Sequence, residues 1–310
     1  VASRLLYLLF AVGGLCTSGP VQAREPVHWS YLSFPPQIVV HEDGELSGSS
    51  VVLQRILEQE LAEYRHESVR APLSRALLAA GRGEPYCMAG IFRLPERERV
   101  LIYSTPCRIV GPFVAVTLRG GLDPWKSSDG RVSLRELLAD QELITGRVAD
   151  MSYGSEVDAL FEESAGRPNV IALHDMSTLE RPLLLLLSGR VRYMILSPEQ
   201  SWYAVRSLHL EETVELVPLL EARTWQTAHV ACTRSSWGRE VMPRVERVLH
   251  RLRRNGQLKA LCERDVPPGL LADFHVAWGR IMRPGQMIME PPGKPETVSQ
   301  DKGVPEPGAW

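Results

Sequence analysis

The chain has 310 residues, with 35 Lys and Arg against 37 Asp and Glu, for a formal net charge of −2. That balance argues against a nucleic-acid or anionic-membrane partner, since both leave a basic footprint. The length allows about two domains at the usual ~100–200 residues each, and no stretch past the N-terminal segment approaches the ~20 apolar residues of a spanning helix.

The first residues carry a leader pattern. Arg4 is a minimal positive region, residues 5–12 are apolar up to Gly13-Gly14, and Val21-Gln22-Ala23 forms a small-x-small cleavage site. We expect a signal peptide over 1–23, a mature chain from Arg24 and a periplasmic location. Leu15 stands where a lipoprotein signal needs Gly, Ala or Ser, so acylation of Cys16 is not expected. Cys87, Cys107, Cys232 and Cys262 remain; an even count in an exported chain predicts at least one disulfide, with three full pairings open. There is no Cys-x-x-Cys, and the eight histidines lack ligand spacing, so neither metal nor cofactor is expected.

Strands and helices then alternate. A short strand over 28–32 is broken at Phe34-Pro35-Pro36, and residues 38–48 form a hairpin-like excursion around Glu42-Asp43-Gly44. Ser49 or Ser50 is expected to cap a helix over 51–64, in which Leu53, Ile56, Leu57 and Leu61 share one face. A helix over 72–80 ends at Gly81 and Gly83, and a strand follows over 87–92. This alternation implies a parallel sheet. Residues 107–118 read as one extended segment with Gly111-Pro112 in its middle.

The second half repeats the alternation: helix 133–139, strand 143–148, helix 155–163, strand 170–173 and strand 191–196. A capping box, Ser177-x-x-Glu180, should open the Leu-rich helix of 183–187 that Gly189 ends. An extended run over 225–232 precedes an amphipathic helix bearing Val241, Met242, Val245, Val248, Leu249 and Leu252, stopped by Asn255-Gly256. A short helix starts at Gln257. From Pro284 the chain is rich in Pro and Gly, which reads as a disordered tail. Trp29, Trp202 and Trp225 read as packing residues.

Residues 87–107 are the most informative stretch: an apolar strand with Met88 to Phe92, a Leu-Pro-Glu-Arg turn, a second apolar run from Val100 to Tyr103, and Ser104-Thr105-Pro106. This resembles the signature of the type 2 periplasmic solute-binding proteins, amino-acid-binding branch (family 3). There an apolar strand is followed by Thr-Pro-Glu-Arg and Phe-Ser-x-Pro-Tyr. The chain looks closest to an uncharacterised exported subgroup marked by Cys-Met-Ala-Gly-Ile-Phe and a His-Val-Ala-Cys return strand, here 229–232. The resemblance covers roughly 27–263 and implies an α/β fold of two lobes, each a mainly parallel sheet flanked by helices. Lobe one would be discontinuous, 24–110 and 226–265, with lobe two over 111–225 and a C-terminal extension from 266.

The resemblance also implies a site. Arg97 would grip a solute carboxylate, because a planar guanidinium matches it with two parallel hydrogen bonds. Tyr31, Phe34, Gly90 and Phe92 would line lobe one at its strand ends, and Ser152, Tyr153 and Ser155 would face them before a lobe-two helix. The return strand would insert antiparallel beside the strand of residues 88–91 and make Cys87 and Cys232 neighbours, with Cys107 and Cys262 as competing partners. Ser197 stands where amino-acid binders carry the acid that holds an ammonium, and Gly90 and Phe92 replace hydroxyl-bearing residues. An acidic, aromatic or less zwitterionic solute therefore fits as well as an ordinary α-amino acid.

The implied function is capture of a small organic solute by a monomer serving an ABC permease or a membrane sensor. Among enzymes of this fold, prephenate-type dehydratases add a general acid in the cleft, and Glu199 or Glu96 would be that acid here. No Gly-x-Ser-x-Gly, His-Glu-x-x-His or Walker loop supports another chemistry.

Overall fold

A computed structural model describes residues 26–148, 151–174 and 178–283. The leader, the tail from Pro284 and Ser177 of the expected capping box lie outside the described residues. The first lobe opens with β1 (Val27–Tyr31), a small hairpin β2 (Val39–Val40) and β3 (Leu46–Ser47), then α1 (Ser49–Glu60), β4 (His66–Arg70), α2 (Leu73–Gly81), β5 (Tyr86–Phe92) and β6 (Leu101–Val110). The chain crosses at Gly111 into β7 (Val114–Leu118), α3 (Leu134–Ala139), β8 (Thr145–Val148), α4 (Ser155–Glu163), β9 (Val170–Leu173), α5 (Arg181–Leu187), β10 (Tyr193–Leu196), α6 (Pro198–Ser207) and β11 (Val214–Pro218). It returns through β12 (Gln226–Thr233) to α7 (Ser236–Arg254), α8 (Gln257–Glu263) and α9 (Leu271–Ile281).

Two five-stranded sheets result, ordered β4-β1-β5-β12-β6 and β11-β7-β10-β8-β9. In the first, β4, β1 and β5 run parallel, and β12 enters antiparallel between β5 and β6. In the second, β9, β8 and β10 are parallel while β7 opposes both β10 and β11. This is the two-lobed, type 2 periplasmic-binding fold with a discontinuous first lobe. Central strands are covered on both faces, so β7 and β10 read as near-continuous apolar runs. Trp29, Leu57, Val230 and Val245 fill one side of the first sheet, Ala76, Tyr86 and Leu101 the other. Phe161, Leu137 and Tyr193 fill one side of the second.

Cys87 and Cys232 are directly opposed in the β5–β12 register and form a disulfide, with Cα atoms 4.1 Å apart. Cys107 and Cys262 are buried free thiols.

Several elements differ from the sequence reading. Gly48, not Ser49 or Ser50, is the N-cap of α1, and the helix ends before Leu61. β4 was not anticipated because His-Glu-Ser-Val-Arg carries no apolar run; as an edge strand it needs none. α5 begins at Arg181 with Glu180 at its N-cap. The extended segment starts earlier, at Leu101, and breaks at Gly111. The segment after α8 is not all extension: α9 buries Phe274 and Ala277. Among the described residues no helix is long and apolar enough to cross a membrane.

Candidate ligand-binding site

In a parallel α/β sheet the free space lies beyond the carboxyl ends of the strands. On lobe one these ends are Tyr31 of β1, Arg70 of β4 and Phe92 of β5. Tyr31 is half-buried, while the Phe34 and Phe92 side chains are exposed. Gly90 sits at an irregularity in the β5–β12 register, with φ of 94°. A Cβ there would lie 3.1 Å from the Ser50 hydroxyl, so the glycine lets the start of α1 approach the strand.

The turn after β5 holds Arg97. Its amide donates to Leu94 O at 3.0 Å, and its Nη1 donates to Phe92 O at 3.3 Å, which brings the guanidinium to the end of β5. One of five donors is thereby used, and the rest remain for a planar anion. Arg93 is instead paired with Glu98 at 2.7 Å, and that hydrogen bond holds the Glu98 carboxyl below its ordinary range.

Lobe two supplies the start of α4. Gly154 is the N-cap with φ of 96°, and Ser152 and Ser155 are exposed beside it. Asp158 Oδ2 accepts from the Ser152 hydroxyl at 2.6 Å and Oδ1 from the Tyr153 amide at 2.9 Å, which fixes the approach to the helix. The first-turn amides of a helix have no intrahelical acceptor and favour an anion. The Tyr153 ring is committed to the core: it packs on Phe113 and Phe161 at centroid distances of 5.2 and 5.3 Å, and its hydroxyl accepts from Val148 N–H at 2.9 Å. Burial raises its pKa.

A buried polar cluster stands beside the crossing between lobes, and of its members the sequence singles out Glu199 but not Arg108, Asp265 or Ser49 as a group. Arg108 on β6 is level with Ala228, which is level with Phe92. Its guanidinium pairs with Asp265 at 2.9 Å and donates to the Ser49 hydroxyl; Ser49 donates to Asp265. Glu199, at the start of α6, is buried and accepts from the Gly111 amide at 2.8 Å. Burial pushes its carboxyl above the ordinary range, with nearby Arg108 opposing. Glu96 is exposed on the turn. Besides Glu199, the sequence signal for the cluster is an arginine inside an apolar strand run, Cys107 to Val110. The adjoining thiols of Cys107 and Cys262 are pushed up to about 12 and about 11 by burial. Among the described residues no group of His, Cys, Asp and Glu is arranged to hold a metal.

No protein-family model matches the chain, and no curated protein does. Solved structures do. An ancestral cationic amino-acid solute-binding protein, AncCDT-1, is 16% identical, with a TM-score of 0.60 over 78% of this chain and 96% of that one; the same protein is described as a precursor of cyclohexadienyl dehydratase. Substrate-binding domain 2 of Lactococcus lactis GlnP, in its open conformation, is 14% identical with a TM-score of 0.55, over 80% of this chain and 97% of that one. A histidine kinase sensor domain similar to periplasmic binding proteins is 20% identical with a TM-score of 0.50, over 77% and 94%. At these identities the likeness shows the fold: that of the type 2 periplasmic binding proteins.

Proposed function

We propose that this chain is an exported, periplasmic binding protein. It closes two lobes over a small carboxylate-bearing organic solute and delivers it to an ABC-type permease or reports it to a membrane sensor. In this reading lobe one is 24–110 with 226–265, and lobe two is 111–225. Arg97 holds the carboxylate, Tyr31, Phe34, Gly90 and Phe92 shape the first wall, and Ser152, Ser155 and the amides of α4 form the second. Tyr153 contributes its backbone, since its side chain is in the core. The observation that carries the reading is the Arg97 guanidinium, tethered to Phe92 O with most of its donors unspent at a strand end. Binding rather than catalysis is supported by the neighbours of the same fold, since AncCDT-1 and GlnP substrate-binding domain 2 are both described as binding proteins.

The test is a thermal-shift screen of the mature chain against carboxylates, followed by calorimetry on Arg97→Ala. Removing one partner of a desolvated, hydrogen-bonded ion pair costs on the order of 2–5 kcal/mol in binding. The variant should lose measurable affinity while its ligand-free melting temperature stays near that of the parent. Equal affinity in both proteins would assign Arg97 to the surface.

A further inference from the structure

Helix α7 turns its apolar stripe to the core, with Val241, Val245 and Leu252 buried, and its outer face is basic. Arg244, Arg247, Arg251 and Arg254 follow one another at spacings of three and four residues, which sets them along one side of the helix. Two of the four are answered by acids beside α7: Arg244 pairs with Glu63, and Arg251 with Glu60 at 3.3 Å, although Arg251 stays 57% exposed. Arg247 and Arg254 are exposed and have no acidic partner among the described residues. His250, Arg251, Arg254 and Asn255 line an open depression of about 360 Å³.

This face weakens the helix that carries it. Like charges three or four residues apart repel, as Arg247 does with Arg251 and Arg251 with Arg254. The helix dipole offsets this only for cations in the last turn, which leaves Arg247 out. The two acids of α7 give no relief. Glu246 accepts from the Thr105 amide and hydroxyl at 2.6 and 2.7 Å, and Glu240 from the Tyr64 hydroxyl at 3.4 Å. The register then places the face. Arg253 donates to Pro106 O at 2.8 Å; Pro106 is opposite His229 on β12, and the adjoining Ala228 is level with Phe92. The basic end of α7 therefore lies at the same end of the lobe-one sheet as the candidate site.

Resting on the permease-or-sensor partner of the reading above, we propose that this face docks an acidic segment of that partner protein. Arg247 and Arg254 are seven residues apart, a rise of ~10 Å along a helix, so carboxylates at the same interval on a partner helix meet both. A guanidinium matches a carboxylate with two parallel hydrogen bonds. It matches a phosphate as well, but Glu63 and Glu60 border the face through their pairs with Arg244 and Arg251. A flat anionic lipid surface would press against these two carboxylates, whereas a narrow segment seated on Arg247 and Arg254 does not.

The probe is a fluorescent helical peptide with glutamates repeating every three or four residues along one face, set against an isomer of the same composition with its glutamates spread round all faces. Anisotropy should show the first binding the purified chain at about 20 mM salt and weakening toward about 150 mM, as screening shortens the reach of these charges. The Arg247→Ala/Arg251→Ala/Arg254→Ala variant should lose at least ~10-fold in affinity, the combined effect of three exposed pairs. The Arg75→Ala/Arg82→Ala/Arg190→Ala variant removes the same charge from exposed sites elsewhere and should keep its affinity. Arg247→Glu should also lose the peptide while its melting temperature holds or rises, because repulsion from Arg251 becomes attraction. Equal losses in the two triple variants, or equal affinity for the isomer, would reduce the contact to net charge and overturn the proposal, as would no binding at low salt. Phosphatidylglycerol vesicles that displace the peptide through the same three arginines would make lipid the occupant and overturn it too. A carboxylate thermal-shift screen on the first triple variant keeps the two readings apart. Solute binding that persists there leaves capture standing whatever the peptide does, and a chain that takes the peptide but no carboxylate keeps the docking face and loses the capture reading.

Discussion

Arg97 and Arg108 show what a single residue reveals in sequence. Arg97 is legible because its neighbours form a turn pattern, Leu-Pro-Glu-Arg, next to an apolar strand. Arg108 is not, because its partner Asp265 lies 157 residues away and no local rule links them. Ser49 misleads for the same reason: a serine before a helical run is a cap signal, yet its hydroxyl is taken by Asp265 and Arg108. Cys87 and Cys232 lie 145 residues apart and became legible only once the return strand was placed beside β5. Their bond closes a long loop of the unfolded chain, and such a cross-link is worth about 2–5 kcal/mol. The Cys87→Ala/Cys232→Ala double variant should lose that much in urea denaturation and still bind the same carboxylates, because the bridge lies at the opposite end of β5 from Phe92. A stability equal to the parent's would mean that the thiols are not bonded in the native protein.

At the scale of elements, those with an apolar period were legible and those defined by their place in the sheet were not. α7 announces itself through Val241, Val245, Val248 and Leu252, all buried. β4 and β11 sit at the outer edges of their sheets, and neither carries an unbroken apolar run. α6 follows β10 almost without a loop, through Ser197 and Pro198, so its start merges with the strand signal. The start of α1 approaches β5 at Gly90, and it depends on Gly48, its N-cap. There φ is 114°, and an added Cβ would lie 2.3 Å from Gln37 O and 2.5 Å from Pro36 O. Both are backbone atoms and cannot rotate away. Gly48→Ala should therefore destabilise by about 1–3 kcal/mol or more, read as a lower urea midpoint with an unchanged slope. An alanine variant as stable as the parent would mean that this backbone is free to relax.

On the scale of the whole molecule, three segments join the lobes. Two are the crossings at Gly111 and before β12. The third is the C-terminal segment: Arg131, beside α3, pairs with Asp273 of α9, and Phe274 packs on Trp225 at a centroid distance of 5.8 Å. The Pro268–Leu270 turn touches β11 while α9 packs on α8. Glu199 stands at the first crossing, and its protonation is tied to folding. Burial raises the folded-state pKa, opposed by Arg108 and reinforced by Asp265. The folded chain thus holds this proton more tightly than the unfolded chain, whose glutamate titrates near ~4.3. Stability from this group is therefore full below that value and is lost as pH rises through the folded pKa. Glu199→Gln cannot ionise, and its side-chain carbonyl can still accept from the Gly111 amide. Melting temperatures measured from about pH 4 upward should show the parent falling relative to the glutamine variant across that window, and running parallel to it above the folded pKa. Curves that stay parallel throughout would mean that the Glu199 carboxylate is as well solvated in the folded chain as in the unfolded one, and the first crossing would then be open to water.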